Sequence, residues 1–138
     1  MTKNVIFDSF ALIAHFRKEE GSDQISELLS EIAIGEREGF ISVINVGEIY
    51  YMLHRKAGKV NAEKSLSIIK TLPLTIITAD FETTYQASQL KSNFRISFAD
   101  AFAASLTIEK KGTLITGDPE FKSLRKEKDF KVHFINRV

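Results

Sequence analysis

Four carboxylates, Asp8, Glu48, Asp100 and Asp118, stand at positions where an acid is either a helix cap or part of a reaction centre. Asp8 ends the apolar run "VIF" and precedes a helical pattern that opens at Ser9, so it suits an N-cap, a position aspartate fills well. Asp118 is followed by Pro119, an ordinary helix start with a cap and a proline at the first helical position. Asp100 lies in "SFAD", which resembles a capping box with Ser97 as the cap and Asp100 reaching back. Asn45, three residues before Glu48, permits a similar reading of "NVGEIYYML". Capping therefore accounts for each acid alone.

Two of them fit capping less well. Ile44 lies one turn before Glu48, and Tyr51 and Met52 lie one turn after it, an apolar setting for a carboxylate. No lysine or arginine stands three or four residues away to pair with it, and Arg55, two turns on, is the nearest cation on that face. Asp100 is the only charged residue between Arg95 and Glu109, on a helical stretch that is apolar nearly all round. Burying a carboxylate costs several kcal/mol unless it is paired or bound to a metal.

The elements that would position these acids follow from the hydrophobic periodicity. Short β-branched or aromatic runs predict strands at 4–7, 40–43, 74–78, 113–116 and 131–135. Helical spacing predicts helices at 9–19, 22–38, 45–58, 61–72, 80–92 and 97–111, and a short one at 119–127. Pro73 stops the fourth of these, and Asp80 reads as a plain cap for the fifth. Strands alternating with helices imply crossover connections and a parallel sheet covered on both faces, an α/β/α arrangement. In such a sheet ligands bind beyond the carboxyl ends of the strands, where the strand order reverses. Asp8 and Asp118 each follow a strand on that edge, Asp100 opens a buried helix, and Glu48 opens another just after a strand.

Four carboxylates around one crevice repel one another, which raises their pKa values or requires a cation. A site of oxygen ligands alone suits a hard divalent ion, Mg²⁺ or Mn²⁺. Two such ions can activate a water and stabilise the leaving oxygen of a phosphodiester. The spacing suggests an acidic metal site and does not name its substrate.

Composition bounds the rest. A chain of 138 residues fits a single domain over 1–138 and buries enough surface to need no disulfide or structural metal. The absence of cysteine excludes a disulfide scaffold, a thiolate zinc site and a cysteine nucleophile. No run approaches the ~18 apolar residues of a membrane span, and the opening "MTKNVIFDSF" lacks the apolar core of a signal peptide. The expected location is therefore the cytoplasm. Net charge is +1, so any nucleic-acid binding must come from local patches such as 54–59 and 122–128, which read equally as solvated helix ends.

Together the segments "VIFDSFALIA", "ISVINVGEIYYML", "ISFADAFAASLTI" and "LITGDPEF" resemble, in order and separation, the PIN-domain family of nucleases, and in particular its VapC-type toxins from toxin–antitoxin modules. The resemblance implies a three-layer α/β/α sandwich with a central parallel sheet and a Mg²⁺- or Mn²⁺-dependent endoribonuclease. By matching position, Asp8, Glu48, Asp100 and Asp118 are the implied catalytic and metal-binding quartet, with Ser9 and Thr116 as supporting hydroxyls. It further implies an RNA substrate, a homodimer and a cognate antitoxin that blocks the groove. Asn45 departs from the serine or threonine common there. Glu120 stands where a further acid often occurs, and it reads equally as an exposed first-turn glutamate. A positive rim from Arg17, Arg55, Lys56, Lys122 and Arg125 would hold phosphates.

Two other readings remain open from the sequence. One is a PIN-fold RNA-processing nuclease outside any toxin–antitoxin pair. The other is a flavodoxin-like module that binds Mg²⁺ without hydrolysis, although Asp8 has no acidic neighbour and no lysine follows Thr116, as a phospho-acceptor receiver would need. His15, His54 and His133 have no ligand spacing, Phe98 and Phe121 read as core, and no Gly-rich phosphate loop or serine-hydrolase elbow is present.

Overall fold

The computed structural model describes residues 1–136; residues 137 and 138, which close the expected domain, lie outside the described residues. Asn4–Phe7 (β1) leads into helices Ser9–Phe16 (α1) and Ser22–Ala33 (α2), and Glu38–Ser42 (β2) into Val43–Ala57 (α3) and Lys59–Ile69 (α4). Leu74–Ile77 (β3) leads into Phe81–Asn93 (α5) and Phe98–Glu109 (α6). Thr113–Thr116 (β4) is followed by a 3-10 helix, Pro119–Leu124, and the short strand Val132–Phe134 (β5). The strands form one sheet in the order β3-β2-β1-β4-β5, with all four pairings parallel.

Side-chain alternation along the strands divides the core in two. Val5 and Phe7 of β1 and Ile115 of β4 face one layer, where they pack with Leu12, Ile25, Ile49, Leu53 and Ile69 from α1 to α4. Ile6 and Leu114 face the other, against Ala87, Phe102, Phe121 and Leu124 from α5, α6 and the 3-10 helix. The result is the expected α/β/α sandwich. Phe121 is fully buried, as the sequence suggests, whereas Phe98 is 44% exposed and so is not core.

Local chemistry shifts several element ends. The helix expected over 22–38 stops at Ala33, and Gly35, at φ 85°, turns the chain and donates its N–H to the Ile32 carbonyl. Glu38 and Gly39 then join β2, which starts earlier than expected. Gly39 permits the close approach of α2 and β3, since a Cβ there would sit 2.6 Å from side-chain carbons of both Ile32 and Leu74. Ser42 caps α3 by accepting from the Ile44 N–H at 3.2 Å, so this helix begins at Val43. Asn45 is therefore not a cap, and Glu48 lies in the second turn. The stretch 119–127 forms a 3-10 helix ending at Leu124.

The strand order fixes where a crevice opens. The chain steps from β1 outward through β2 and β3, with α1 to α4 on one face. It then returns past β1 to β4 by way of α5 and α6 on the other face. The order reverses between β1 and β4, and the connections leaving their carboxyl ends diverge to opposite layers. Asp8 and Asp118 follow these two strands.

Candidate metal and active site

Asp8 is 1% exposed. One of its carboxylate oxygens, Oδ1, accepts from the Ala11 N–H at 2.9 Å, the N-cap of α1 that the sequence predicts. Its other oxygen accepts from the Thr116 hydroxyl. The β1–β4 register pairs Phe7 with Ile115, so the next residues, Asp8 and Thr116, emerge side by side. Thr116 Oγ1 also accepts from the Asp118 N–H at 3.0 Å, and Asp118 Oδ1 caps the 3-10 helix through the Glu120 N–H at 2.9 Å. One buried hydroxyl thus links the first and last of the four acids.

Glu48 is tied to the same end of the sheet by Ser9, which follows Asp8 and donates to Glu48 Oε1. The Tyr51 hydroxyl donates to Glu48 Oε2 at 3.5 Å. Asp100, 5% exposed, sits in the first turn of α6, where its N–H donates to the Ser97 hydroxyl at 3.1 Å. The reciprocal half of that capping box is not made by Asp100, contrary to the sequence reading. The Ser97 N–H donates to Glu120 Oε1 at 2.8 Å instead. A second side chain holds the same turn from α3: Asn45 Nδ2 donates to the Ala99 carbonyl at 3.2 Å. Asn45 is fully buried, and its Oδ1 has no hydrogen-bond partner among the described residues.

Oxygens of Asp100, Asp118 and Glu120 lie within 4.8 Å of one another. Burial pushes the Asp8 carboxyl up to about 7; the hydrogen bonds from Thr116 and Ala11 oppose this, and the charges of Asp118 and Glu48 add to it. Asp100 is raised in the same direction, first by burial, then by the Asp118 charge and a hydrogen bond shared with Glu120. The two ion pairs among the described residues, Arg17–Glu19 and Arg37–Glu31, involve none of these acids. A cluster of carboxylates with buried members, raised pKa values and no cationic partner among the described residues fits a hard divalent ion held by oxygen. The Oδ1 of Asn45 adds an acceptor for which the described residues provide no donor.

The expected basic residues are dispersed. Arg17 caps the far end of α1, a helix about 12 Å long, and pairs with Glu19, so it does not join the acids. Arg55 and Lys56 occupy the exposed last turn of α3, on the helix that carries Glu48. Lys122 and Arg125 lie exposed at the end of the segment that follows Asp118, and Arg125 stacks over Phe134 at 5.2 Å. His15, His54 and His133 join no metal-ligand group among the described residues. Tyr51 and the backbone role of Glu120 are the contributions that sequence reasoning missed. The spacing of Tyr51 one turn past Glu48 was visible, but it read as apolar surroundings.

The PIN domain family matches residues 5–127 of the chain. A comparison with curated proteins found no match. Among solved structures, VapBC2 from Rickettsia felis, bound to a DNA fragment from its promoter, superposes with a TM-score of 0.73 at 18% identity, over 95% of this chain and 98% of the other. The Mycobacterium tuberculosis toxin VapC20, described as cleaving the sarcin–ricin loop, gives 0.71 at 16% identity, over 88% and 95%. DNA-bound VapBC from Salmonella typhimurium gives 0.69 at 13% identity, over 98% and 100%. At these identities the superpositions speak to the fold. Among the described residues, no helix is long and apolar enough to cross a membrane.

Proposed function

The chain belongs to the PIN-domain family, and from that premise we propose that it is, over 1–138, a divalent-metal-dependent endoribonuclease of the VapC type. The observation that carries the reading is the cluster of Asp100, Asp118 and Glu120 oxygens, with Asp8 joined to Asp118 through Thr116 and near enough to Glu48 to feel its charge, and without a cationic partner among the described residues. Asp8, Glu48, Asp100 and Asp118 would hold Mg²⁺ or Mn²⁺, with Glu120 beside them. Once bound, such an ion lowers the pKa of a water and offsets charge at the leaving oxygen of a phosphodiester.

The protein's own residues supply the rest. Thr116 fixes the rotamer of Asp8 and the backbone of Asp118, and Ser9 fixes Glu48. Asn45 and Glu120 hold the turn that carries Asp100. The basic side chains Arg55, Lys56, Lys122 and Arg125 would take RNA phosphates beyond the acids, and Arg17 would serve only a substrate long enough to reach the far end of α1. The sarcin–ricin-loop activity named for the mycobacterial relative supports RNA as the polymer. The VapBC complexes support a cognate antitoxin as partner; in the proposed reading that antitoxin is the inhibitor, and the working form is a cytoplasmic homodimer. An RNA-processing nuclease without an antitoxin is the alternative, which a short upstream reading frame in the same operon would argue against.

The test is cleavage of total RNA by the purified protein in Mg²⁺ or Mn²⁺, with and without EDTA. Wild-type protein should cleave only with the metal, and Asp8→Asn and Asp100→Asn should lose at least a hundredfold in rate while keeping the native circular dichroism. Unchanged cleavage by either variant overturns the assignment.

A further inference from the structure

Along α3, an acid, an aromatic ring and a cation follow one another on a single ridge. Tyr51, 46% exposed, lies one turn beyond Glu48; its hydroxyl donates to Glu48 and is close enough to Asp100 to sense that charge. One turn further, the Arg55 guanidinium sits 5.1 Å from the centre of the Tyr51 ring. Arg55 is exposed and makes no ion pair or hydrogen bond among the described residues, whereas Arg37 is spent on Glu31 and the Thr2 carbonyl. Neither Tyr51 nor Arg55 belongs to a core cluster, so packing does not explain their pairing.

The arrangement suits one kind of ligand. The acids repel a phosphodiester backbone, so a nucleic acid needs a nearby cation to approach them. Arg55 is such a cation, and its planar fork takes phosphate while its face stacks. The Tyr51 hydroxyl contacts Glu48, and its ring is about half exposed beside Arg55. Aromatic rings and guanidinium planes bind nucleobases by stacking, and only unpaired bases offer a free face. We propose that Tyr51 and Arg55 form a stacking shelf that holds one unpaired nucleobase of the substrate beside the bond to be cut. This rests on the ribonuclease reading above.

Binding and cleavage separate the two proposals. The probe is a fluorescein-labelled single-stranded 12-mer RNA of mixed sequence, alone or annealed to its complement, titrated by anisotropy in Ca²⁺, which neutralises carboxylates but is a weaker Lewis acid than Mg²⁺. Wild-type protein should bind the single strand at least tenfold more tightly than the duplex. Tyr51→Ala should weaken single-strand binding by about five- to a hundredfold, the range expected for one lost base stack, and change duplex binding little. Tyr51→Phe should lose far less than Tyr51→Ala, and Arg55→Lys should weaken the single strand even though the charge is kept. Equal affinity for strand and duplex, or unchanged single-strand binding by Tyr51→Ala, overturns the shelf; the latter would leave Tyr51 and Arg55 as a protein-contact surface. Selective binding without cleavage in Mg²⁺ would instead overturn the ribonuclease reading and leave the shelf standing.

Discussion

The backbone N–H of Ser97 donates to Glu120 Oε1 at 2.8 Å, which closes the capping box of α6 with a residue from beyond β4. Asp100 needs only its own N–H for the cap, so its carboxylate is free to lie beside Asp118 and Glu120. A side chain that sequence alone reads as an exposed first-turn glutamate therefore joins two segments that carry acids.

This relationship gives a prediction in which charge is held constant. Glu120→Gln and Glu120→Ala both remove the carboxylate, but only glutamine keeps an acceptor for Ser97. Glu120→Ala should be less stable than Glu120→Gln by about 0.5–1.5 kcal/mol in urea unfolding, the net worth of one hydrogen bond. Equal stabilities would mean that the contact does not hold the turn.

Thr116 is fully buried and uses its hydroxyl twice, as donor to Asp8 and acceptor from Asp118. Thr116→Val preserves shape and leaves both partners without a mate in a dry setting. It should lose about 1–3 kcal/mol and most of the cleavage rate, while Thr116→Ser keeps both. A valine variant as active as wild type would show that the link between the two strand ends is incidental.

Asn45 bridges α3 and α6 through a single N–H to the Ala99 carbonyl. Asn45→Asp cannot donate there and adds a buried charge next to a cluster of acids, whereas Asn45→Ala only removes the bond. The aspartate variant should therefore be the less stable of the two at pH 7.5, and the gap should narrow at pH 5 as the new carboxyl protonates. Thermal melts at both pH values decide this.

The raised pKa of Asp8 sets a pH dependence with a definite sign. Its folded value of about 7 exceeds the ordinary 3.8, so the folded state holds a proton that the unfolded state releases. The stability this contributes is present below 3.8 and is lost as pH rises through about 7, a change on the order of 4 kcal/mol at full ionisation. Asp100 is shifted in the same direction. In EDTA the protein should thus be more stable at pH 5 than at pH 8. Asp8→Asn should flatten that slope, and Mg²⁺ at a hundred times its Kd should restore about 2.7 kcal/mol at pH 8. Rising stability from pH 5 to pH 8 in EDTA would contradict this reading.

The sequence by itself determined what acts over three or four residues. The order of strands and helices was legible in its periodicity. So were four caps that the structure uses: Asp8, Asp80, Ser97 and Asp118 each accept from a backbone N–H two or three residues on. Element ends were less legible, because Ser42 reads as strand until α3 begins beside it, and because Gly39 is required by neighbours that are distant in sequence.

The site belongs to the tertiary structure. Asp8 and Thr116 are 108 positions apart and meet only because β4 returns past β2 and β3 to pair with β1. That same return brings Glu120 to Ser97, while α1 carries Arg17 away from Asp8 although only eight residues separate them in the chain. A cap is a contact between near neighbours and follows from residue type. Convergence depends on which strands lie side by side, and burial of the two apolar layers decides that order.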